Sequence, residues 1–134
     1  MNEAIKNGVA DAIRKQFGNE YSIYVDNVEQ GLKKPCFFIL NEKCTFDRLL
    51  GRRAAVTYRY NIELLEEDRE KLEKDLVKLF YVLEMIETAE GKMFGKNMSF
   101  SVNEGKGVFF VEYRCAVIFE EEYEYMEVLE REEV

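Results

Sequence analysis

The chain has no histidine, no tryptophan, one proline and three cysteines among 134 residues. Without histidine, Ser-His-Asp and Cys-His catalytic arrangements cannot be built, and the commonest metal ligand is missing. The three cysteines, Cys36, Cys44 and Cys115, form no CxxC pair and are odd in number. That argues against a disulfide framework and against a zinc site, and it fits a reducing compartment. Cys36 and Cys115 sit in apolar strand patterns and read as small hydrophobes. Cys44 is the one candidate nucleophile, and no histidine exists to activate it. No GxxxxGK[ST] or GxGxxG sequence occurs. "GKMFGKN" at 91–97 has two Gly-Lys pairs, too little for phosphate binding, and reads as a flexible connection. Glu63, Glu66 and Glu67 could ligate magnesium in principle, but an ordinary acidic helix start explains them better. The expectation is a protein that is not an enzyme and carries no cofactor or metal.

Long apolar runs are also missing. None approaches the ~20 residues of a membrane helix, and "MNEAIKNGVADAIRKQFG" is charged throughout, unlike a signal peptide. The expectation is a soluble protein with no membrane contact. The net charge of −8 is uneven: residues 120–134 hold eight Glu and one Arg, so nearly all of it lies there. An acidic tail repels phosphate.

What is present is apolar and aromatic, with 47% hydrophobic residues, ten Phe and eight Tyr. That is enough for one core-forming domain, expected over 1–119, followed by the tail at 120–134. Ile5, Val9, Ala12, Ile13 and Phe17 predict a helix over 2–17, capped by Asn2 and stopped by Gly18. "EYSIYVD" at 20–26 alternates as a strand. "CFFIL" at 36–40 predicts a strand buried on both faces, or with one face under a helix and one on a partner. Residues 41–52 are mixed. "AAVTYRYNIEL" at 54–64 alternates with period two throughout. Leu72, Leu76, Leu79, Leu83 and Ile86, widened by Val77, Phe80 and Val82, predict a helix over 66–88 lying flat on a sheet. "KNMSFSV" and "GVFFVEYRCAVIFEE" flank the turn "NEGKG" at 103–107 as a hairpin. Its last strand is long enough to project beyond its own sheet and pair with a neighbour. The fold class follows: α+β, order α-β-β-β-α-β-β, an antiparallel sheet of about five strands with two helices on one face.

Two basic clusters remain. Lys33 and Lys34 occupy the loop before "CFFIL", in "VEQGLKKPCFFIL" at 28–40, where Gly31 and Pro35 are turn residues. Arg48, Arg52 and Arg53 surround Leu49, Leu50 and Gly51 in "DRLLGRR". Each cluster reads either as solvated charge or as a contact surface. Apolar residues ringed by arginine favour contact. Basic loops and an acidic tail on one molecule suit head-to-tail self-association, which closes into rings.

The stretch E-Q-G-L-K-x-P-C-F-F at 29–38, the G-R-R at 51–53 and the element order over 2–119 resemble the small tail terminator proteins of phages and prophages of Gram-positive bacteria and of phage tail-like particles. The resemblance implies a virion structural protein, made in the host cytoplasm, at the neck end of the tail. There it would form a ring, a hexamer in this family. The ring would cap the tail tube, stop its polymerisation and offer a docking surface to head-completion or collar proteins. In contractile tails and tailocins it would also meet the sheath. DNA would only pass through the lumen. The expected subunit or tube interface comprises Gln30, Lys33, Lys34, Arg48, Leu49, Leu50, Arg52 and Arg53. A competing reading is a phage-encoded binding module, a host-directed regulator or chaperone, working through the acidic tail.

Overall fold

The computed structural model describes residues 1–26 and 32–119. Its element order is α1 (Asn2–Phe17), β1 (Ser22–Val25), β2 (Cys36–Arg48), β3 (Arg53–Leu65), α2 (Arg69–Val82), β4 (Met85–Thr88), β5 (Gly91–Asn103) and β6 (Lys106–Ile118). The strands form one sheet in the order β1-β2-β3-β6-β5-β4.

The α+β class and both helices on one sheet face match the sequence reading; the sheet differs in detail. It has six strands and is mixed. β1 runs parallel to β2, with Ile23 beside Phe37 and Val25 beside Ile39. The link over 26–35 is long enough to carry the chain back past a four-residue strand, which a tight antiparallel turn would not do. The sixth strand comes from the expected helix over 66–88. That helix ends at Val82, and Met85–Thr88 pairs with Gly91–Phe94 instead. Ile86 fits both patterns, being buried at helical spacing from Leu79 and also inward-facing on β4. "GKMFGKN" is correspondingly strand, not a flexible connection.

β2 also runs on through 41–48, past "CFFIL". The sequence there is mixed because both faces are exposed in this half, so apolar and polar residues do not sort. β3 and the β5–β6 hairpin match their expected alternation. A two-residue turn at Glu104–Gly105, both at positive φ, closes the hairpin; glycine makes the second position cost nothing.

Opposite-face alternation assigns the strand residues away from the register shifts at Asn41–Lys43 and Lys96–Ser99. Phe37, Ile39, Tyr60, Ile62, Leu64, Phe109, Val111 and Tyr113 point to the helices and are buried. α1 covers them with Ile5, Val9 and Ile13, and α2 with Leu72, Leu76 and Leu79. Val77, expected to widen the stripe of α2, is exposed. Fully burying such a side chain is worth about 1.5–3 kcal/mol, so these residues carry most of the stabilisation.

The caps differ from expectation at one end only. Asn2 is not a side-chain cap; Met1 holds that position, and the Asn2 carboxamide oxygen accepts the hydroxyl of Tyr60. Gly18 ends α1, its N–H donating to Arg14 O at 3.0 Å. Asp68 caps α2 by accepting from the N–H groups of Glu70 and Lys71 at 3.1 and 3.4 Å. Two polar contacts are buried in the core. Tyr21 donates to Asp75, and Tyr113 donates to Leu83 O at 2.7 Å. Burial raises the Tyr21, Tyr60 and Tyr113 phenols well above their usual pKa; at Tyr21 the Asp75 carboxylate adds to this.

Candidate assembly surfaces

The two basic clusters come out at opposite ends of the sheet. β2 has thirteen residues, so its ends are roughly 40 Å apart at about 3.3 Å per residue. At one end, Lys33 and Lys34 are exposed just before β2. The Lys33 N–H donates to the Tyr24 hydroxyl at 3.3 Å, and the Lys34 ammonium sits 3.8 Å from Glu67. The Lys34–Pro35 peptide bond is cis. Gln30 and Gly31, from the same expected loop, lie outside the described residues.

At the other end, Leu49–Arg52 turn β2 into β3. Gly51, at φ 68°, provides the left-handed residue the turn needs. The Leu49 N–H donates to Arg53 O at 2.9 Å, and the Phe119 N–H to Arg52 O at 2.8 Å. The Arg48 guanidinium donates to Gly51 O and stacks over the Phe119 ring, 5.0 Å from its centroid. Arg48 therefore braces the turn from within. Leu50, 84% exposed, stands at the tip, with Arg52 and Arg53 exposed beside it. An apolar side chain held up by a braced turn among arginines matches the composition of contact sites. So Arg48, Leu49, Leu50, Arg52 and Arg53 are brought together, and Lys33 and Lys34 stand apart from them.

Between the two ends lies a region that sequence reasoning largely missed. β1 pairs only with the first part of β2, up to Ile39, and β5 pairs with β6 only as far as Tyr113. Beyond those points β2, β3 and β6 continue as a three-stranded arm. Its helix-side face carries Cys44, Phe46, Val56, Tyr58, Cys115 and Val117, and Phe46 is 52% exposed. The only signal in the sequence was the length of the last strand.

Among the described residues no His, Cys, Asp and Glu cluster is placed to hold a metal ion. Burial raises the thiol pKa of Cys36 and Cys115, which makes both less reactive. Cys44 is exposed. Among the described residues no helix is long and apolar enough to cross a membrane.

A family model described as "Phage tail terminator protein" matches residues 4–125. The chain belongs to the phage tail terminator family. The match takes in all six strands and nearly all of α1, so it covers both ends of the sheet and the arm between them. It places the protein among structural components of the phage tail, in contact with other tail components, and not in a known enzyme family. A comparison with curated proteins finds no match.

Proposed function

We propose that this tail terminator forms a ring on the end of the tail tube, stops its polymerisation and presents a docking surface to head-completion or collar proteins. The observation that carries the reading is the exposed, braced tip of Leu50, Arg52 and Arg53 in a chain of this family, at the far end of the sheet from Lys33 and Lys34. A ring between tube and neck needs two different contact surfaces facing opposite ways, and the sheet supplies two chemically different ends. A hexamer, and contact with a sheath in a contractile tail or tailocin, are finer parts of the same proposal.

The test is to add the purified chain to tail tubes from the same genome and to follow particle mass and tube ends by mass photometry and negative-stain microscopy. Capped tubes that stop growing are expected. A chain that stays monomeric and leaves tubes growing refutes the reading. The acidic composition of 120–134 favours a second role, masking a basic partner. Deleting those residues separates the two: partner masking then collapses, whereas capping survives.

A further inference from the structure

Both edges of the arm are open among the described residues. On β2 the open stretch is 40–48, and on β6 it is 114–118. The direction of the backbone groups can be read from neighbouring bonds. The Leu49 N–H points to β3, so by alternation Cys44 and Phe46 aim their N–H and C=O groups away from it. The Phe119 N–H also points to β3, so Arg114, Ala116 and Ile118 aim theirs out of the opposite edge. Unpaired edges of this length are templates for pairing with another chain unless charge, proline or a bulge blunts them. The β2 bulge lies at Asn41–Lys43, at the start of the stretch, and no proline lies in either edge.

We infer that copies of this chain join edge to edge, β6 residues 114–118 of one pairing with β2 residues 40–48 of the next. This rests on the ring reading above and specifies its joint. Three observations support it. First, the strand count is right. β2 and β6 are each antiparallel to β3, so they run parallel to each other. A copy related by rotation along the sheet therefore meets its neighbour as a parallel pair. In that pairing, outward groups of residues facing the helix side, as on β2, match outward groups of residues facing the other way, as on β6. Second, there is room. Where β5 leaves β6, a cleft of about 820 Å³ opens, lined by Arg114, Cys115 and Ala116 from β6 and by Lys92, Phe94 and Lys96 from β5. Third, apolar surface is continuous across the joint. Phe46 on β2 and Val117 on β6 share the helix-side face, so Phe46 of one copy comes beside Val117 of the next and extends the apolar stripe. The contact is heterologous, so it propagates around a ring instead of stopping at a dimer.

The test uses proline at the outward-pointing positions. Ala116→Pro and Cys44→Pro remove donors that bond nothing among the described residues, so folding is kept. Each is expected to lower assembly on tube ends at least tenfold, with an unchanged circular dichroism spectrum. Cysteine pairs give an independent readout. Thr45→Cys with Ala116→Cys, in a Cys44→Ser background, places thiols on one face at opposite edges. Within one chain these strands lie about 10 Å apart, too far for a disulfide, so every cross-link is between copies. A non-reducing ladder above the dimer is expected only with both cysteines present. If wild type caps tubes and the proline variants cap them equally well, the joint is refuted and the ring reading stands. Dimers from Thr45→Cys alone would show a two-fold β2·β2 contact and overturn the proposed joint. A wild type that never assembles removes both ideas.

Discussion

Gly95 sits where β5 leaves β6 for β4, and replacing it by alanine tests how closely the sheet approaches the end of α2. A Cβ at this position would lie 2.5 Å from Leu83 O and 3.0 Å from a Val111 methyl. Leu83 O is a backbone atom at the helix C-cap and cannot rotate away. It also accepts the buried Tyr113 hydroxyl at 2.7 Å, while the Gly95 N–H donates to the adjacent Glu84 O at 2.8 Å. Relieving the clash means moving the helix end from β5, which also draws Leu83 O away from Tyr113. Overpacking of this kind costs about 1–3 kcal/mol. A buried hydroxyl left unpaired costs about 1–3 kcal/mol more. Gly95→Ala is therefore expected to destabilise by about 2–6 kcal/mol, a large part of the ~5–15 kcal/mol that holds a domain folded. Urea unfolding followed by circular dichroism measures it, with an unchanged m-value. Tyr113→Phe alone should cost about 1 kcal/mol. In that background Gly95→Ala loses only the steric part, so the two changes should be sub-additive by about 1–2 kcal/mol. A Gly95→Ala protein within about 0.5 kcal/mol of wild type, or full additivity, would refute the reasoning.

Reversing charge at the tip, Arg52→Glu with Arg53→Glu, should leave stability within about 0.5 kcal/mol, because both side chains are exposed, yet abolish tube capping; loss of folded protein would mean a structural role. Asp75→Ala strips the buried Tyr21 hydroxyl of its acceptor and should cost about 1–3 kcal/mol in urea unfolding, more than Tyr21→Phe. Alkaline titration should show a stability loss with a definite sign. The folded state keeps Tyr21, Tyr60 and Tyr113 protonated above the ordinary phenol value of 10.0. Their contribution is therefore complete below about pH 10 and falls above it, by about 1.4 kcal/mol per phenol per pH unit. Phenolate absorbance should rise in two steps, with the second coinciding with loss of the far-ultraviolet signal; a single early step for all eight tyrosines would contradict it.

Much of this fold is legible in the sequence because one face of most elements is buried. β3 and the β5–β6 hairpin alternate cleanly, and α1 and the Leu72–Leu76–Leu79 stripe show helical spacing, since inward positions had to be apolar. Legibility fails where that constraint is absent. Both faces of Glu42–Asp47 are exposed, so the pattern there carried no period. Ile86 is inward-facing on β4 and also in phase with the helix before it, and no Gly or Pro marks the change at Leu83. The parallel pairing of β1 depends on where a loop returns, which local spacing does not encode. The site was partly legible. The arginine tip was readable as composition, whereas its roughly 40 Å separation from Lys33 and Lys34, and the open edges of the arm, depend on strand length and pairing.

β3 is paired on both sides from end to end, and its register against β6 has no break from Arg53 to Leu65. Its first residue belongs to the arginine tip, and its last leads directly to Glu66 and Glu67, beside Lys34. An extended strand is already near its contour length and cannot stretch, and two neighbours keep it from buckling. A push or pull arriving at one end is therefore handed to the other as displacement of a stiff rod, with no hinge in between to absorb it. In a structural component of a phage tail, that strand makes the chain a strut.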